Sequence, residues 1–186
     1  GIQPAQGDYW QATRGGGHGD YRLIVLAPAT IQEMVDTVQD AFDLADKYRN
    51  PVMILGDGML GQMMEPVEFR EQTVSSLAEK EWATTGLRNH PGRRNVINSL
   101  YLQPDKLEEH NQHLQRKYAE IAANEVRYEE VDVEDADLVV AAYGTTARIV
   151  RSAMEEARRE GLRVGLIRPI TLWPFPVEPF ARAAER

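Results

Sequence analysis

The chain has 186 residues, 42% of them hydrophobic and 27% charged, which is the composition of an ordinary globular protein with one medium or two small domains. A formal net charge of −8 argues against nucleic acid as a partner, and without an 18-residue apolar run or a signal-peptide pattern we expect no membrane association and a cytoplasmic location. The absence of cysteine excludes disulfides, thiolate catalysis and iron–sulfur ligation by this chain.

The opening segment, residues 1–22, is glycine-rich and polar, and this composition predicts a loop rather than a helix or strand. Because no first strand precedes it, we expect the chain to be a fragment of a longer polypeptide. In α/β proteins such loops cover ligand sites at the carboxyl ends of strands. Gln3, Gln6 and Asp8 could contact a carboxylate, a carbonyl or a pyrimidine edge, or could tie the loop down. His18, flanked by glycines, could bind substrate or act in catalysis, or could be a surface residue.

A strand–helix–strand unit follows. Residues 23–27 are apolar and predict a buried strand. Thr30 and Glu33 match a capping box, a motif worth about 1 kcal/mol at a helix start. Asn50 precedes a proline, so the helix ends there, and residues 52–55 predict a second buried strand, parallel to the first. The expected buried face of the helix recurs at helical spacing: Ile31, Met34, Val35, Val38, Phe42, Ala45 and Tyr48.

The middle of the chain has a different character. Residues 65–102 show no sustained period and predict an extended linker on the surface. A long polar helix then begins at Pro104 and is expected to run to about Tyr128, packing as a strap because its apolar stripe is thin: Leu107, Leu114, Tyr118, Ile121 and Val126.

Two groups of side chains in this middle region invite a functional interpretation. Met59, Met63 and Met64 could line an adaptable apolar pocket, although ordinary packing is the simpler reading. His110 and His113 share a helical face, but no nearby pattern supplies a third ligand, so we expect no metal site there.

The last third of the chain predicts a second unit. Residues 137–143 and 163–167 predict strands, joined by a helix that Gly161 terminates. Residues 169–176 predict a rigid turn, after which a helix begins at Val177. The intervening helix carries apolar positions Ile149, Val150, Ala153 and Ala157, and a basic face that we expect to be solvated and salt-bridged with Glu155 and Glu156: Arg148, Arg151, Arg158 and Arg159.

The turn into that helix, Tyr143-Gly144-Thr145-Thr146, has two interpretations. Free backbone amides at the helix start could hold a phosphate. Alternatively Thr145 caps its own helix, which we favour because one glycine without a longer glycine pattern is weak evidence of phosphate binding.

Three stretches together resemble the alpha subunits of 2-oxoacid:ferredoxin oxidoreductases, most closely the 2-oxoisovalerate or branched-chain type. They are the opening loop through Gly15-Gly16-Gly17-His18-Gly19-Asp20, residues 27–52, and Tyr143-Gly144-Thr145 together with residues 168–176. The likeness covers nearly the whole chain. It implies an α/β fold in which the parallel-sheet pyrimidine-binding domain of a thiamine diphosphate enzyme is followed by part of a transketolase C-terminal-like domain. The implied division is 1–65 for the end of the first domain, 66–131 for a linker with the long helix, and 132–186 for the start of the second.

The resemblance also implies a reaction and a set of partners. The enzyme would oxidatively decarboxylate a 2-oxoacid to an acyl-CoA and pass electrons to ferredoxin. Thiamine diphosphate with Mg²⁺ would be shared with a beta subunit, CoA would be the co-substrate, and iron–sulfur clusters would lie on other subunits. Two alternatives stay open: a subunit of another transketolase-like enzyme, such as a 2-oxoacid dehydrogenase beta chain, or a non-catalytic docking module.

No catalytic residue is assigned within this chain. The family's activating glutamate and carboxylate-binding arginine would both precede residue 1, so the isolated fragment is expected to be inactive. By the resemblance, Ile2 and Gln3 would lie near the substrate side chain, with Gln6 and His18 further out.

Overall fold

The computed structural model of the protein describes residues 6–70, 80–88 and 92–185. It is an α/β fold, as predicted, with two three-stranded sheets. The elements in chain order are α1 (Gly7–Arg14), β1 (Ile24–Leu26), α2 (Ile31–Tyr48), β2 (Val52–Ile54), a 3₁₀ turn (Leu60–Gln62), α3 (Pro104–Asn124), β3 (Tyr128–Val131), β4 (Leu138–Ala141), α4 (Gly144–Arg159), β5 (Val164–Pro169), β6 (Thr171–Trp173) and α5 (Val177–Ala184).

The first sheet has the order β2-β1-β6. Strands β1 and β2 are parallel, with Ile24 opposite Val52, which confirms the predicted strand–helix–strand unit. Strand β1 is wholly buried because elements cover both of its faces, whereas β2 is only half-buried, contrary to the prediction.

Strand β6 lies where the sequence predicted only a rigid turn. It pairs antiparallel with β1, placing Trp173 opposite Val25. The prolines on both sides obscured the signal, but Thr171, Leu172 and Trp173 are residue types that favour strands, and Thr171 and Leu172 are buried. The polypeptide thus returns from the second unit to complete the first sheet.

The second sheet has the order β3-β5-β4, with β4 parallel and β3 antiparallel to β5. The prediction that the long helix runs to about Tyr128 was wrong at its end, since Tyr128 begins strand β3. Helix α3 ends at Asn124, where the amide of Glu125 donates to the carbonyl of Ile121. Tyr128 and Val131 then pair with Pro169 and Leu166 of β5.

The opening segment also differs from its prediction, since Gly7–Arg14 is helical. The Thr13 hydroxyl donates to the Tyr9 carbonyl, and Ala12 packs against Val25 and Leu172. Tertiary packing of this short helix outweighs the low helix propensity of the glycine-rich segment. The residues that follow it, 15–23, are not helical.

Each helix buries fewer of its apolar side chains than the spacing of those residues in the sequence predicted. In α2 the buried residues are Ala41, Leu44 and Tyr48, while Val38 is exposed and Phe42 is 71% exposed. In α4 the buried side chains include Ala147 and Met154, and Ile149 points outward. Helix α3 is a strap only in its first half, because Tyr118 and Ile121 enter the core beside Ile24 and Leu26.

The described part of residues 65–102 has neither helix nor strand, in agreement with the predicted lack of a sustained period, and its first residues lie along α2. Gln32 exchanges hydrogen bonds with the Glu68 backbone, Arg70 pairs with Asp36 and Asp40, and Lys80 pairs with Asp46. Among the described residues, no helix combines the length and the apolar character needed to cross a membrane.

Candidate functional site at the junction of the two sheets

A small apolar cavity lies at the carboxyl ends of the parallel strands β4 and β5, the end at which open α/β sheets bind ligands. Its volume is about 150 Å³. Helix α1 and Leu172 of strand β6 form the side that belongs to the first sheet, and residues of the second unit form the rest. The lining residues are Gln6, Tyr9, Ala141, Ala142, Tyr143, Pro169, Leu172, Phe175 and Phe180.

Aromatic pairs shape this cavity. The rings of Tyr9 and Tyr143 lie 5.8 Å apart, and those of Phe175 and Phe180 stack at 5.2 Å. Burial, helped by nearby Tyr9 and carboxylate charges, raises the pKa of Tyr143. Its phenol therefore stays neutral near pH 7 and offers the cavity a hydrogen-bond donor rather than a charge.

Asp57, at the carboxyl end of β2, closes the start of helix α4. Its Oδ2 accepts hydrogen bonds from the backbone amide of Thr145 at 2.9 Å and from the Thr145 hydroxyl, and its Oδ1 accepts from the Leu60 amide at 2.8 Å. Burial alone would raise the pKa of Asp57, but these hydrogen bonds outweigh it and hold that pKa below its ordinary value.

Both sequence interpretations of the Tyr143–Thr146 turn are therefore wrong. Thr145 does not cap its own helix, since Tyr143 is the N-cap residue and makes no side-chain capping bond. A carboxylate from the other unit occupies the position where a phosphate would sit. Gly144 has φ +59°, and a Cβ there would lie 3.1 Å from Asp57 Oδ2, so the turn is fitted to this contact.

An ion-pair network centred on Arg168 joins the same two units. The Arg168 side chain is 5% exposed and pairs with Glu33 of α2 and, at 3.2 Å, with Glu129 of β3, which also pairs with Arg151 of α4. Burial alone would lower the pKa of Arg168, but the hydrogen bonds and charges of Glu33 and Glu129 outweigh it and raise that pKa above its ordinary value. The network fixes α2 against the second sheet.

Glu33 accordingly makes a variant of the predicted capping box. The Thr30 hydroxyl accepts from the Glu33 amide at 3.0 Å, as predicted. The Glu33 carboxylate, however, accepts from the amide of Ala29 at 2.8 Å rather than that of Thr30, because it also reaches Arg168.

The basic face of α4 is salt-bridged, as predicted, but mostly to other elements. Arg148 pairs with Glu65 at 2.8 Å, and Arg158 pairs with Asp135 at 2.9 Å. Only Arg159 finds its partner, Glu155, on the same helix among the described residues. Glu65 also accepts from the Ile31 amide, so this pair adds another contact between the units.

The structure describes two of the four predicted site residues. Ile2 and Gln3 lie outside the described residues. Gln6 lines the mouth of the cavity, whereas His18 is exposed in the glycine-rich segment. That segment is tied down by Asp20, which accepts from Asn111 at 3.2 Å. The proximity of these four positions to a substrate stays a prediction.

The structure also places the methionine and histidine groups that the sequence singled out. Met59 and Met64 are exposed, so core packing was the wrong expectation for them. His110 stacks on Tyr101 with ring centroids 4.6 Å apart, and its Nδ1 lies 3.1 Å from the Tyr101 hydroxyl. Within residues 6–70, 80–88 and 92–185, no three histidines or carboxylates are grouped as a metal site.

The residues that the sequence reasoning missed are Asp57 and Arg168. Asp57 had a usable signal in the sequence, because it lies between two glycines just after a predicted parallel strand. The carboxyl ends of such strands are where α/β sheets make functional contacts. The role of Arg168 had no local signal, because Glu33 and Glu129 are remote in sequence.

The described residues do not build a thiamine diphosphate site by themselves. The α4 N-terminus, a natural diphosphate position, is filled by Asp57, and no metal-binding carboxylate group accompanies it among the described residues. The chain has no cysteine to ligate an iron–sulfur cluster. What this junction provides is an apolar wall with a few neutral polar groups.

Two protein-family models match the chain. Residues 1–133 match the thiamine diphosphate-binding domain described as "Pyruvate flavodoxin/ferredoxin oxidoreductase, thiamine diP-bdg". Residues 136–186 match "Pyruvate:ferredoxin oxidoreductase core domain II".

Curated protein sequences show the same relationship. The ketoisovalerate oxidoreductase subunit VorB of Methanothermobacter thermautotrophicus is 53% identical over 184 residues, covering 99% of this chain and 52% of that protein. The 2-oxoglutarate synthase subunit KorA of the same organism is 34% identical over 206 residues, covering 98% and 54%. The chain thus spans about half the length of the curated relatives it matches.

A solved structure has a similar fold. The 2-oxoglutarate:ferredoxin oxidoreductase from Magnetococcus marinus, solved with 2-oxoglutarate, coenzyme A and succinyl-CoA bound, superposes with a TM-score of 0.73. The match has 24% sequence identity and covers 96% of this chain and 36% of that one. The architecture of two small sheets with their helices is therefore shared with that enzyme.

Proposed function

The chain belongs to the 2-oxoacid:ferredoxin oxidoreductase family, and we propose that it is the alpha-subunit portion of a member acting on 2-oxoisovalerate or a similar branched-chain 2-oxoacid. The whole enzyme would oxidatively decarboxylate the acid, form an acyl-CoA and reduce ferredoxin. The observation that carries this proposal is the 53% identity to a ketoisovalerate oxidoreductase subunit along 99% of the chain.

The difference in sequence identity between two kinds of relative supports a branched-chain 2-oxoacid as the substrate. Identity to the ketoisovalerate subunit is 53%, against 34% to the 2-oxoglutarate subunit of the same organism. The apolar cavity agrees with this preference, because Tyr9, Leu172 and Phe180 offer no cation that could pair with a second carboxylate. A 2-oxoacid with an uncharged branched side chain suits such surroundings better than 2-oxoglutarate, whose side chain carries a second carboxylate.

The contribution of this chain is structural and positional rather than chemical. Helix α1 begins at Gly7, a few residues after the predicted substrate-proximal Ile2 and Gln3, and Ala12 anchors it against β1 and β6. The cross-unit contacts of Asp57, Glu65 and Arg168 would hold the first sheet, on which α1 packs, against the second unit. We therefore expect the fragment alone to be inactive.

The remaining components come from other chains in this proposal. Thiamine diphosphate and its Mg²⁺ would be held mainly by a beta subunit, since the described residues lack a diphosphate cradle. CoA would act as co-substrate, and iron–sulfur subunits would pass electrons to ferredoxin, since this chain has no cysteine. Location in the cytoplasm, and the division into segments 1–65, 66–131 and 132–186, are part of the same proposal.

The test uses the full-length gene coexpressed with its neighbouring subunit genes under anaerobic conditions. Viologen reduction is followed with 2-oxoisovalerate, pyruvate and 2-oxoglutarate, each with and without CoA and thiamine diphosphate. We expect reduction that requires both additions and is fastest with 2-oxoisovalerate.

Two other outcomes are informative. Faster reduction with 2-oxoglutarate or pyruvate would keep the reaction and refute the branched-chain assignment. No reduction with any acid, from a complex that assembles with its clusters, would refute the enzyme proposal and favour a docking module.

A further inference from the structure

A strip of large apolar side chains lies on the surface just before helix α3. In the described segment 92–102, which has no helix or strand, Val96 is 77% exposed, Ile97 50%, Leu100 71% and Leu102 83%. Single exposed apolar side chains are common on protein surfaces, but four within seven residues are a local concentration, and concentrated exposed apolar surface marks interaction sites.

The backbone of this strip is held in place although its apolar side chains face outward. Asn95 donates to the carbonyl of Ala83 at 3.1 Å and to that of Glu81, and the Leu100 amide donates to Asn98 Oδ1 at 3.1 Å. Tyr101 is fixed by stacking on His110 of α3. The surface is therefore formed before any partner arrives, which lowers the entropic cost of binding.

A basic groove of about 570 Å³ continues from the strip and shares Val96 and Ile97 with it. Its walls include three arginines, Arg49, Arg93 and Arg94, together with Trp82 and one carboxylate, Glu81. The Arg49 guanidinium lies 4.6 Å from the centre of the Trp82 ring.

Positive charge is concentrated at this groove. Lys117 donates to the Arg49 carbonyl at 3.2 Å, and burial together with the Arg49 charge lowers the pKa of Lys117. None of Arg49, Arg93, Arg94 and Lys117 forms an ion pair with another residue in the described part of the chain, whereas twelve other cations there do, from Lys47 to Arg182. Three arginines against one carboxylate, Glu81, give this groove a local excess of positive charge in a protein of net charge −8.

We propose that the apolar strip and the basic groove together form a docking surface for a partner subunit of the enzyme complex. The partner surface would place carboxylates against Arg93 and Arg94 and apolar side chains against Val96, Leu100 and Leu102. This inference rests on the proposed function, in which the chain works within a multi-subunit oxidoreductase. An anionic nucleotide would fit the groove alone, but it would leave the apolar strip exposed, so a protein surface accounts for more of the observations.

The test measures the dissociation constant between the purified full-length subunit and its coexpressed partner subunits by surface plasmon resonance. Two variants are compared with the wild type: Leu100→Asp, and the double variant Arg93→Glu/Arg94→Glu. Their matched controls are Leu162→Asp, whose side chain is 60% exposed after α4, and Arg159→Glu, an exposed arginine on α4. Circular dichroism and thermal melts confirm that each variant is folded.

We expect each strip or groove variant to weaken binding at least tenfold, and each control to change it less than twofold. The arginine variant should also flatten the dependence of the association rate on salt, because opposite charges steer the encounter. These binding measurements need no turnover, so they can fail or succeed independently of the viologen assay.

Three results would overturn the proposal. One is an unchanged dissociation constant in both folded variants. Another is ADP that quenches Trp82 fluorescence at micromolar concentration in the assembled complex, which would make the groove a nucleotide site accessible after assembly. The third is self-association of the full-length subunit that the same variants abolish while partner binding persists, which would make a second copy the occupant.

Discussion

Asp57, Glu33 and Glu125 are carboxylates that join segments far apart in the chain. Asp57 connects the end of β2 to α4, and Glu33 connects α2 to Arg168 of β5. Glu125, buried after α3, accepts from Lys47 at 2.7 Å and from the Tyr48 hydroxyl at 2.6 Å. At the scale of single residues, hydrogen-bonded carboxylates therefore define where the elements meet.

Replacing Asp57 tests the contact that closes α4. Asp57→Ala removes the acceptor for the Thr145 and Leu60 amides, and because the side chain is partly exposed we expect a loss of about 1 kcal/mol in the free energy of unfolding. Urea unfolding of the full-length subunit measures this. Asp43→Ala, an exposed position on α2, is the control and should have little effect. Equal stability of the two variants would refute the role given to Asp57.

Glu125 predicts a pH dependence of stability. Burial would raise its pKa, but hydrogen bonds from Lys47 and Tyr48 and the charge of Arg127 lower it below its ordinary value. A lowered pKa in the folded state contributes stability above the unfolded-state pKa, about 4.3 for glutamate, and that contribution is lost as the pH falls through the folded-state pKa.

The variant Glu125→Gln cannot titrate at that position. We expect it to lose less stability than the wild type between about pH 5 and pH 3, as measured by urea midpoints of the full-length subunit. Glu160→Gln, an exposed position at the end of α4, should retain the wild-type slope. A wild-type slope in Glu125→Gln would contradict the argument.

At the scale of elements, β5 is the central strand of its sheet and leaves no space at Gly165. A Cβ on Gly165 would lie 2.8 Å from the carbonyl oxygen of Asp132 and 2.9 Å from the Cα of Val133. Both are backbone atoms of the chain just after β3, so neither can move aside as a flexible side chain would. The glycine therefore permits the close approach of this segment to β5.

The variant Gly165→Ala should therefore destabilise the protein by about 2 kcal/mol or more, since accommodating the methyl group requires a backbone shift. Gly61→Ala is the matched control, because a Cβ there meets nothing within 4 Å, and it should change stability by less than about 0.5 kcal/mol. Thermal melting of the two full-length variants compares them. Similar melting temperatures would mean that the segment after β3 can withdraw.

Elements with strong local signals were predictable, and elements defined by distant partners were not. The apolar run of β1, the Thr30 cap of α2 and Gly161, with φ +89°, all act within a few residues, and the structure confirms them. Strands β3 and β6 are short and polar or proline-flanked, and pairing with β5 and β1 stabilises them. The same holds for the candidate site. Gln6 and the turn that contains Tyr143 were named from sequence, but Phe180 had no local signal, and the cavity that it lines forms where the two units meet.

At the scale of the whole molecule, the two sheets share one stretch of chain. Strand β5 is central to the second sheet, and β6 completes the first, with only Ile170 between them. The Ala27 amide donates to the Ile170 carbonyl at 2.8 Å, so even this link is engaged. Separating the sheets would therefore require breaking β6 from β1.

This connection predicts coupled opening of the two sheets. Hydrogen exchange followed by mass spectrometry on the full-length subunit should give β1 and β5 amides similar opening free energies, because β6 transmits the loss of either sheet to the other. Opening free energies in β1 that are lower than those in β5 by more than about 2 kcal/mol would show that the two sheets open independently.

The contribution of β6 to the first sheet also limits how a gene for this protein could be divided. The two family regions meet between residues 133 and 136, which makes that point the natural place for a gene split or a fusion boundary. A polypeptide ending there would carry β3 without its partner β5, and the other would carry β6 without β1. Neither product would hold a complete sheet, so we expect the two pieces to function only when they are produced together and reassociate.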